Sequence, residues 1–535
     1  MTTARFTDIR LITDNVEAWQ AKRALIAQAR RRLDLAYFIV DDDATSCALL
    51  LDLVTAAARG VKVRLLVDYF MTCRQAPALR ALAGVRGIVV RRYRPPTAAW
   101  RAALQAAGIN PSEFVAGLTL PDGARLKAAL KGNTVFPPAM LSAIDALQMQ
   151  AGENRLAFAL RVLATLSDRR MVPDLASASL TSISGFASQF LASLAQPNAA
   201  GWTQLQAKLG LLPAVVQGLD EFLHRTHHKL LMADQRCFIM GGRNLADAYQ
   251  RNGLPPGQSA FQDTDIQACD GLAADSEHVA GFRALWCSAL SISIHQADVY
   301  DSRPALALQA LQAKAGELAE RPPAARPNAT CRLPDMAACI VNNLPSGKGD
   351  PSITHIYVDR IKRQADRGTG VIDIVNAYVC LAGNAADSAP LLALSQSLLD
   401  AAAAGVTVNI RTNSITSTDL PAVNRVAYQH LSKLIEVGVN VFELDEGQGS
   451  LHTKAAAIGD DCLIIGSYNL DPRSELYDTN NLIVLEDKQG IATAAFRQHR
   501  VAGLAWTRLT AQRAQALAAE HALSAAGWAL FKRLL

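Results

Sequence analysis

No stretch of this 535-residue chain approaches the roughly 18 uninterrupted apolar residues of a membrane span, although half of its residues are hydrophobic. Its first ten residues, MTTARFTDIR, lack the apolar core of a signal peptide. The two absences together point to a protein that is cytoplasmic or peripheral at the inner membrane. Aromatic residues make up 6% and the net charge is +5. The stacking surfaces and strong basic field of a dedicated nucleic-acid binder are therefore missing, and no nucleic-acid partner is expected. The mild charge favours anionic lipid surfaces slightly. The nine cysteines are irregularly spaced and form no CxxC; Cys47, Cys237, Cys380 and Cys462 sit in apolar runs. We therefore expect structural thiols, with neither a zinc site nor a disulfide framework.

What the chain does have is one short pattern written twice. His227, Lys229, Gly241 and Asn244 recur as His452, Lys454, Gly466 and Asn469, at offsets of 2, 14 and 17 from the histidine in both copies. A lone HxK carries little information, but four residue types repeated at fixed offsets do. Alternation in a strand sends His and Lys to the same side. A second apolar run, residues 237–240 or 463–465, reads as the neighbouring strand and returns the Asn beside them. Each copy thus offers a nucleophile or acid, a cation and an amide. Two such halves facing each other would enclose a phosphate.

The surroundings repeat as well. Residues 33–37 followed by 60–67 are mirrored by 372–378 followed by 405–410, each reading strand, helix, strand. A third strand is signalled at 87–91 and at 438–442. It begins 14 residues before His452 but 140 before His227, which locates an insertion at about residues 95–220. Its pattern is mostly helical, and Trp100, Phe114, Phe136 and Trp202 within it are candidates for membrane contact or for core. A Pro-rich stretch at 321–327 reads as the joint between lobes 1–320 and 328–535. The tail 526–535 is apolar with a basic pair, compatible with an interfacial helix or with a helix docked on its own lobe.

The two motifs, His227-x-Lys229-x4-Asp234-x6-Gly-Gly-Arg-Asn244 and His452-x-Lys454 followed by Gly466-Ser467-x-Asn469-x-Asp471-x-Arg473-Ser474, resemble the paired motifs of the phospholipase D superfamily. More narrowly, residues 33–42, 59–68, 261–265, 411–414 and Thr418-Asp419 resemble the bacterial cardiolipin synthase branch. The resemblance covers roughly 10–95 and 222–500. It implies a two-lobed α/β fold, each lobe a mixed β-sheet flanked by helices, with a helical insertion in the first.

The resemblance also implies a chemistry. One imidazole forms a phosphohistidine and the other protonates the departing alcohol, with His227 as nucleophile and His452 as general acid. Lys229, Lys454, Asn244 and Asn469 would hold the phosphoryl oxygens, so neither a metal nor another cofactor is called for. Asp263 and Asp265 would back the opposite lobe's histidine, and Asp234 and Ser467 would support the motifs. The second half departs from the family. Gly459 stands where the first copy has Asp234, and Asp478-Thr-Asn480 replaces the usual Asn-Thr-Glu, leaving Asp478 or an amide as the anchor of His227. The expected substrate is phospholipid, with phosphatidylglycerol and phosphatidylethanolamine as candidates and peripheral membrane contact. A hydrolase or nuclease on the same site, and an inactive lipid-binding relative, are the alternatives.

Overall fold

The computed structural model describes residues 3–95, 97 and 224–520, apart from 73–74, 252–253, 255–258, 271–275, 298–303, 321–329, 345–352 and 382–388. The body of the insertion, the Pro-rich joint and the tail 526–535 lie outside the described residues. Strand-forming runs of Val, Ile and Leu build the first lobe from β1 (Ala4–Ile12), β2 (Arg32–Tyr37), β3 (Lys62–Asp68), β4 (Ile88–Tyr93), β5 (Lys229–Ala233), β6 (Cys237–Gly241), β7 (Phe261–Gln262), β8 (Asp265–Asp270) and β9 (Ser291–Ser293). The second lobe has β10 (Thr330–Arg332), β11 (Met336–Asn342), β12 (Val371–Asn376), β13 (Thr407–Asn413), β14 (Asn440–Leu444), β15 (Ser450–Leu451), β16 (Lys454–Ile458), β17 (Cys462–Gly466), β18 (Asn481–Glu486) and β19 (Trp506–Leu509).

The two lobes follow one plan. β2, β3 and β4 run parallel, as do β12, β13 and β14, while the remaining neighbours in each sheet are antiparallel. Helices at Asn15–Gln28, Ala44–Ala58 and Ala76–Ala83 lead into β2, β3 and β4 in turn, and those at Ile353–Arg367, Ala389–Ala403 and Pro421–Glu436 into β12, β13 and β14. The sheets join edge to edge where β1 pairs antiparallel with β11, Arg5 opposite Ala337. Each sheet is buried on both faces, which is why its strands read as continuous apolar runs. Leu231 and Ala233 of β5 pack under the outer helices, as do Ala456 and Ile458 of β16. Leu230, Met232, Ala455 and Ala457, one residue out of phase, meet in a core shared by both lobes.

Two expectations need correcting. Cys237 and Cys269 form a disulfide. They stand directly opposite in the β6–β8 register, a proximity that sequence spacing does not reveal. The histidines, moreover, do not lie in the strands: Lys229 and Lys454 open β5 and β16, and each His sits in the extended segment just before.

Asp234 and its counterpart Gly459 occupy the same left-handed turn, with φ of 54° and 59°. Asp234 accepts the backbone N–H groups of Arg30, Arg31 and Arg32 at 3.0, 2.7 and 2.9 Å, pinning the chain that enters β2. In the second lobe Gln364 fills that space, its amide donating to Thr369 O at 2.5 Å, and a Cβ at position 459 would lie 2.3 Å from Gln364 Oε1. Arg497 adds hydrogen bonds to Val371 O and Gly459 O at 3.2 and 2.8 Å. Restoring the aspartate alone should therefore hurt. Gly459→Asp is expected to lower stability by about 1 kcal/mol through its clash with Gln364, and Gly459→Asp with Gln364→Ala to recover part of it by freeing the aspartate to accept backbone N–H groups as Asp234 does, as read by denaturant unfolding.

Candidate active site

The two HxK segments are brought together by strand-like contacts that cross between lobes. The N–H of His227 donates to Thr479 O, and that of His452 to Gln262 O, both at 2.8 Å. Thr226 bridges Thr479 in parallel, and β7 pairs in parallel with β15. Hydroxyl contacts at 3.2 Å, Thr226 with Thr479 and Thr264 with Thr453, close the seam. Both histidines, both lysines and both asparagines of the repeat are buried here.

Each imidazole is oriented by the opposite lobe. Nδ1 of His452 lies 2.7 Å from Asp263 Oδ2. Nδ1 of His227 lies 2.7 Å from the carbonyl of Ser467 and 3.1 Å from Asn480 Oδ1. The Asn480 amide is fixed by its other end, which donates to Ser474 O at 3.3 Å and Asp478 O at 3.2 Å, so its oxygen faces the ring. A carbonyl only accepts, so Nδ1 of His227 carries the proton and Nε2 presents a lone pair.

Asp263 and Asn480 are equivalent positions, each two residues before the residue paired with Gly241 or Gly466. Their neighbours differ accordingly. A Cβ at Gly242 would lie 2.1 Å from Asp263 Oδ1, so only glycine admits the carboxylate there. At the matching position Ser467 donates its hydroxyl to Asn480 Oδ1 at 3.0 Å. The carbonyl of Asp263 is clamped by Arg243 at 2.6 Å and by Arg500 of the other lobe.

The remaining candidates divide between the site and its frame. Asp265 does not reach His452; it pairs with Lys22 at 2.6 Å inside the first lobe and lies 3.6 Å from Arg243. Asp478 does not anchor His227 either, because Arg473 holds its carboxylate at 3.2 Å. Asn244 Oδ1 accepts from Ile39 N at 3.2 Å, and Asn469 N donates to Ser474 Oγ at 3.2 Å. His224 meets Tyr477 O at 3.1 Å, and His228 is buried away from the rings and pushed down to about 3. Asn480 as anchor and Tyr249, edge-on to His452 at 4.9 Å, escape the repeat pattern. The reason is loop length: Asp263 follows Asn244 by 19 residues, whereas Asn480 follows Asn469 by 11.

The electrostatics are those of an anion site. Lys229 and Lys454 each turn back to donate to the carbonyl of their own histidine, at 2.8 and 2.6 Å. Burial, then the Lys454 cation, holds Lys229 well below its ordinary range, and burial brings Lys454 down to about 8. Burial, reinforced by both lysines, keeps His227 and His452 far below the usual histidine value. An anion placed between the lysines relieves their repulsion and favours the protonated forms. A neutral imidazole facing paired ammonium groups can attack a phosphodiester, and the other ring, once protonated in the presence of the anion, can give its proton to the departing oxygen.

Residues 361–499 match the family described as "Cardiolipin synthase, PLD-like domain". Cardiolipin synthase C of Escherichia coli is 26% identical over 292 residues, covering 49% of this chain and 59% of that protein. An uncharacterised protein of Helicobacter pylori is 25% identical over 293 residues, covering 49% and 54%. The matches span little more than half the length of these curated relatives. The crystal structure of phosphatidylserine synthase from Haemophilus influenzae aligns over 99% of this chain and 97% of its own, with a TM-score of 0.53 and 12% identity, a likeness of fold. Fold, paired motifs and domain match together define a phospholipase D superfamily protein. Within that superfamily the chain stands near the cardiolipin synthases.

The unequal anchors give a pH prediction. Asn480→Asp places a second carboxylate beside Nδ1, which stabilises the imidazolium, so the His227 pKa rises. The acid limb of kcat/KM should move up by about one pH unit, and a histidine-labelled NMR titration should assign the change to His227.

Proposed function

We propose that this protein is a phosphatidyltransferase of the cardiolipin synthase type, moving a phosphatidyl group between phospholipids through a phosphohistidine. The observation that carries the reading is the pair of cross-lobe anchored imidazoles flanked by two buried, opposed lysines. Likeness to cardiolipin synthase C in sequence supports lipid as the substrate class. Nε2 of His227 attacks phosphorus while His452 gives its proton to the oxygen of the departing head-group alcohol, and that P–O bond breaks. His452, now neutral, takes the proton of an acceptor hydroxyl, whose oxygen attacks phosphorus and releases His227. The order of roles follows the family resemblance and suits the anchors. The Asp263 carboxylate beside His452 stabilises an imidazolium during proton transfer, whereas the neutral Asn480 leaves His227 an uncharged nucleophile. Lys229 and Lys454 neutralise the phosphoryl oxygens as charge redistributes.

Phosphatidylglycerol is the favoured donor and acceptor, with phosphatidylethanolamine an alternative head-group source, at a peripherally contacted bilayer. No helix among the described residues is long and apolar enough to cross a membrane. Acid-labile, base-stable label from phosphatidylglycerol should accumulate on His452→Ala, which is slow to release the intermediate, and be absent from His227→Ala. Label on both variants, or wild-type turnover by His227→Ala, would contradict the mechanism.

A further inference from the structure

The motif at 411–414 and Thr418-Asp419 takes no part in the transfer described above, yet the structure carries its last residue to the reaction centre. Asn413 clips the chain ahead of His452, accepting from Leu451 N and donating to Leu451 O, both at 2.8 Å. A turn closed by Thr418 N donating to Ser414 O at 3.1 Å then delivers Asp419. There Oδ1 of Asp419 accepts from the Tyr378 hydroxyl at 2.5 Å. The Tyr378 ring lies 5.8 Å from Lys454 Nζ, and the Asp419 charge is felt by Tyr378, Tyr249 and Lys454 alike. Tyr249 stacks on Phe261 at 4.4 Å, and both rings stand edge-on to His452.

This arrangement exists on one side of the site alone among the described residues. Tyr37 faces Lys229 across β2 and β5 as Asn376 faces Lys454 across β12 and β16, so the counterpart of Tyr378 is Ile39. Beside Lys229 the ring is Phe38, 5.0 Å from the ammonium. Two half-sites that agree in His, Lys and Asn thus differ in what borders them: a phenol hydrogen-bonded to a carboxylate next to His452, and the Phe38 ring next to His227, where the carboxylates Asp68 and Asp478 are paired with Arg225 and Arg473. Asp419 keeps solvent access, and the protein packed around it pushes its carboxyl up by desolvation.

We propose that Asp419, with Tyr378 and Tyr249, forms a subsite for the head group: a small alcohol bearing hydroxyl or ammonium donors, held where His452 protonates it on leaving and deprotonates it on entering. The inference rests on the phosphatidyltransfer reading and names the half of the substrate that the phosphate-binding residues do not distinguish. A carboxylate accepts from hydroxyl and ammonium donors, and its charge favours the ammonium more strongly. The rings of Tyr249 and Phe261, edge-on to His452, complete the wall.

The test uses the full-length protein and mixed vesicles holding equal amounts of phosphatidylglycerol and phosphatidylethanolamine. Products are resolved by mass spectrometry as transfer to each head group and as hydrolysis by water. Asp419→Asn keeps a hydrogen-bond acceptor and removes the charge. It should shift head-group preference away from ethanolamine and toward glycerol by about tenfold. Tyr378→Phe keeps the charge but removes the hydroxyl that orients it, and should shift the partition of both head groups toward water. Unchanged preference and partition, with all products falling together, would overturn the subsite and leave Asp419 a counter-ion of Lys454. A wild-type protein that acts on no phospholipid would overturn the transfer reading itself, a result separable from failure of the subsite.

Discussion

Everything that the site can do depends on an exchange of anchors across the lobe boundary. His227 belongs to the first lobe but takes its ring partners, Ser467 O and Asn480, and its backbone partner, Thr479 O, from the second. His452 belongs to the second and takes Asp263 and Gln262 O from the first. An imidazole acts as nucleophile or proton carrier only in a defined tautomer and orientation, and neither lobe supplies both for its own histidine. The edge pairing of β1 with β11 and the core shared by Leu230, Met232, Ala455 and Ala457 serve this exchange by fixing the register in which the halves meet. Two lysines buried in one site, the second lowering the pKa of the first, are costly without an anion. The same repulsion makes the cavity selective for a group bearing negative charge.

Against that near-symmetry, the departures are where function is differentiated. The Gly242–Asp263 and Ser467–Asn480 pairs occupy matching places and perform the same orienting task with and without a negative charge. A carboxylate lets a ring hold an extra proton; an amide fixes the tautomer and lets the ring stay neutral. One structural site with two electrostatic personalities suits a reaction in which one ring bonds to phosphorus and the other moves a proton. The exchange of Asp234 for Gly459 belongs to a different category. Gln364 and Arg497 replace a carboxylate that pins backbone, far from the phosphoryl group.

The repeated offsets made the architecture and the meeting of the two His, Lys and Asn sets legible, because strands, lysines and asparagines recur in step with the chain. Loop contents were not legible. The equivalence of Asp263 and Asn480 is hidden by loops of unequal length, and Asp265, two residues further along, turns inward to Lys22. Asp478, two residues before the position where the family carries its acidic residue, has the charge, but its neighbour Arg473 claims it. The Cys237–Cys269 bridge depends on antiparallel register between strands that are not consecutive in the chain, where spacing carries no signal. Placing each histidine inside a strand followed from alternation alone. The ladder in fact breaks off two residues short, at Lys229 and Lys454, so that His227 and His452 pair with the opposite lobe instead of with their own sheet.

The most direct measurement is a product analysis by mass spectrometry after purified protein meets phosphatidylglycerol vesicles, with and without phosphatidylethanolamine and with His227→Ala alongside. The account predicts cardiolipin from the wild-type protein and none from the variant. Phosphatidic acid without cardiolipin would contradict the transferase assignment while keeping the site, and no lipid product from the wild-type protein would contradict the phospholipid substrate altogether.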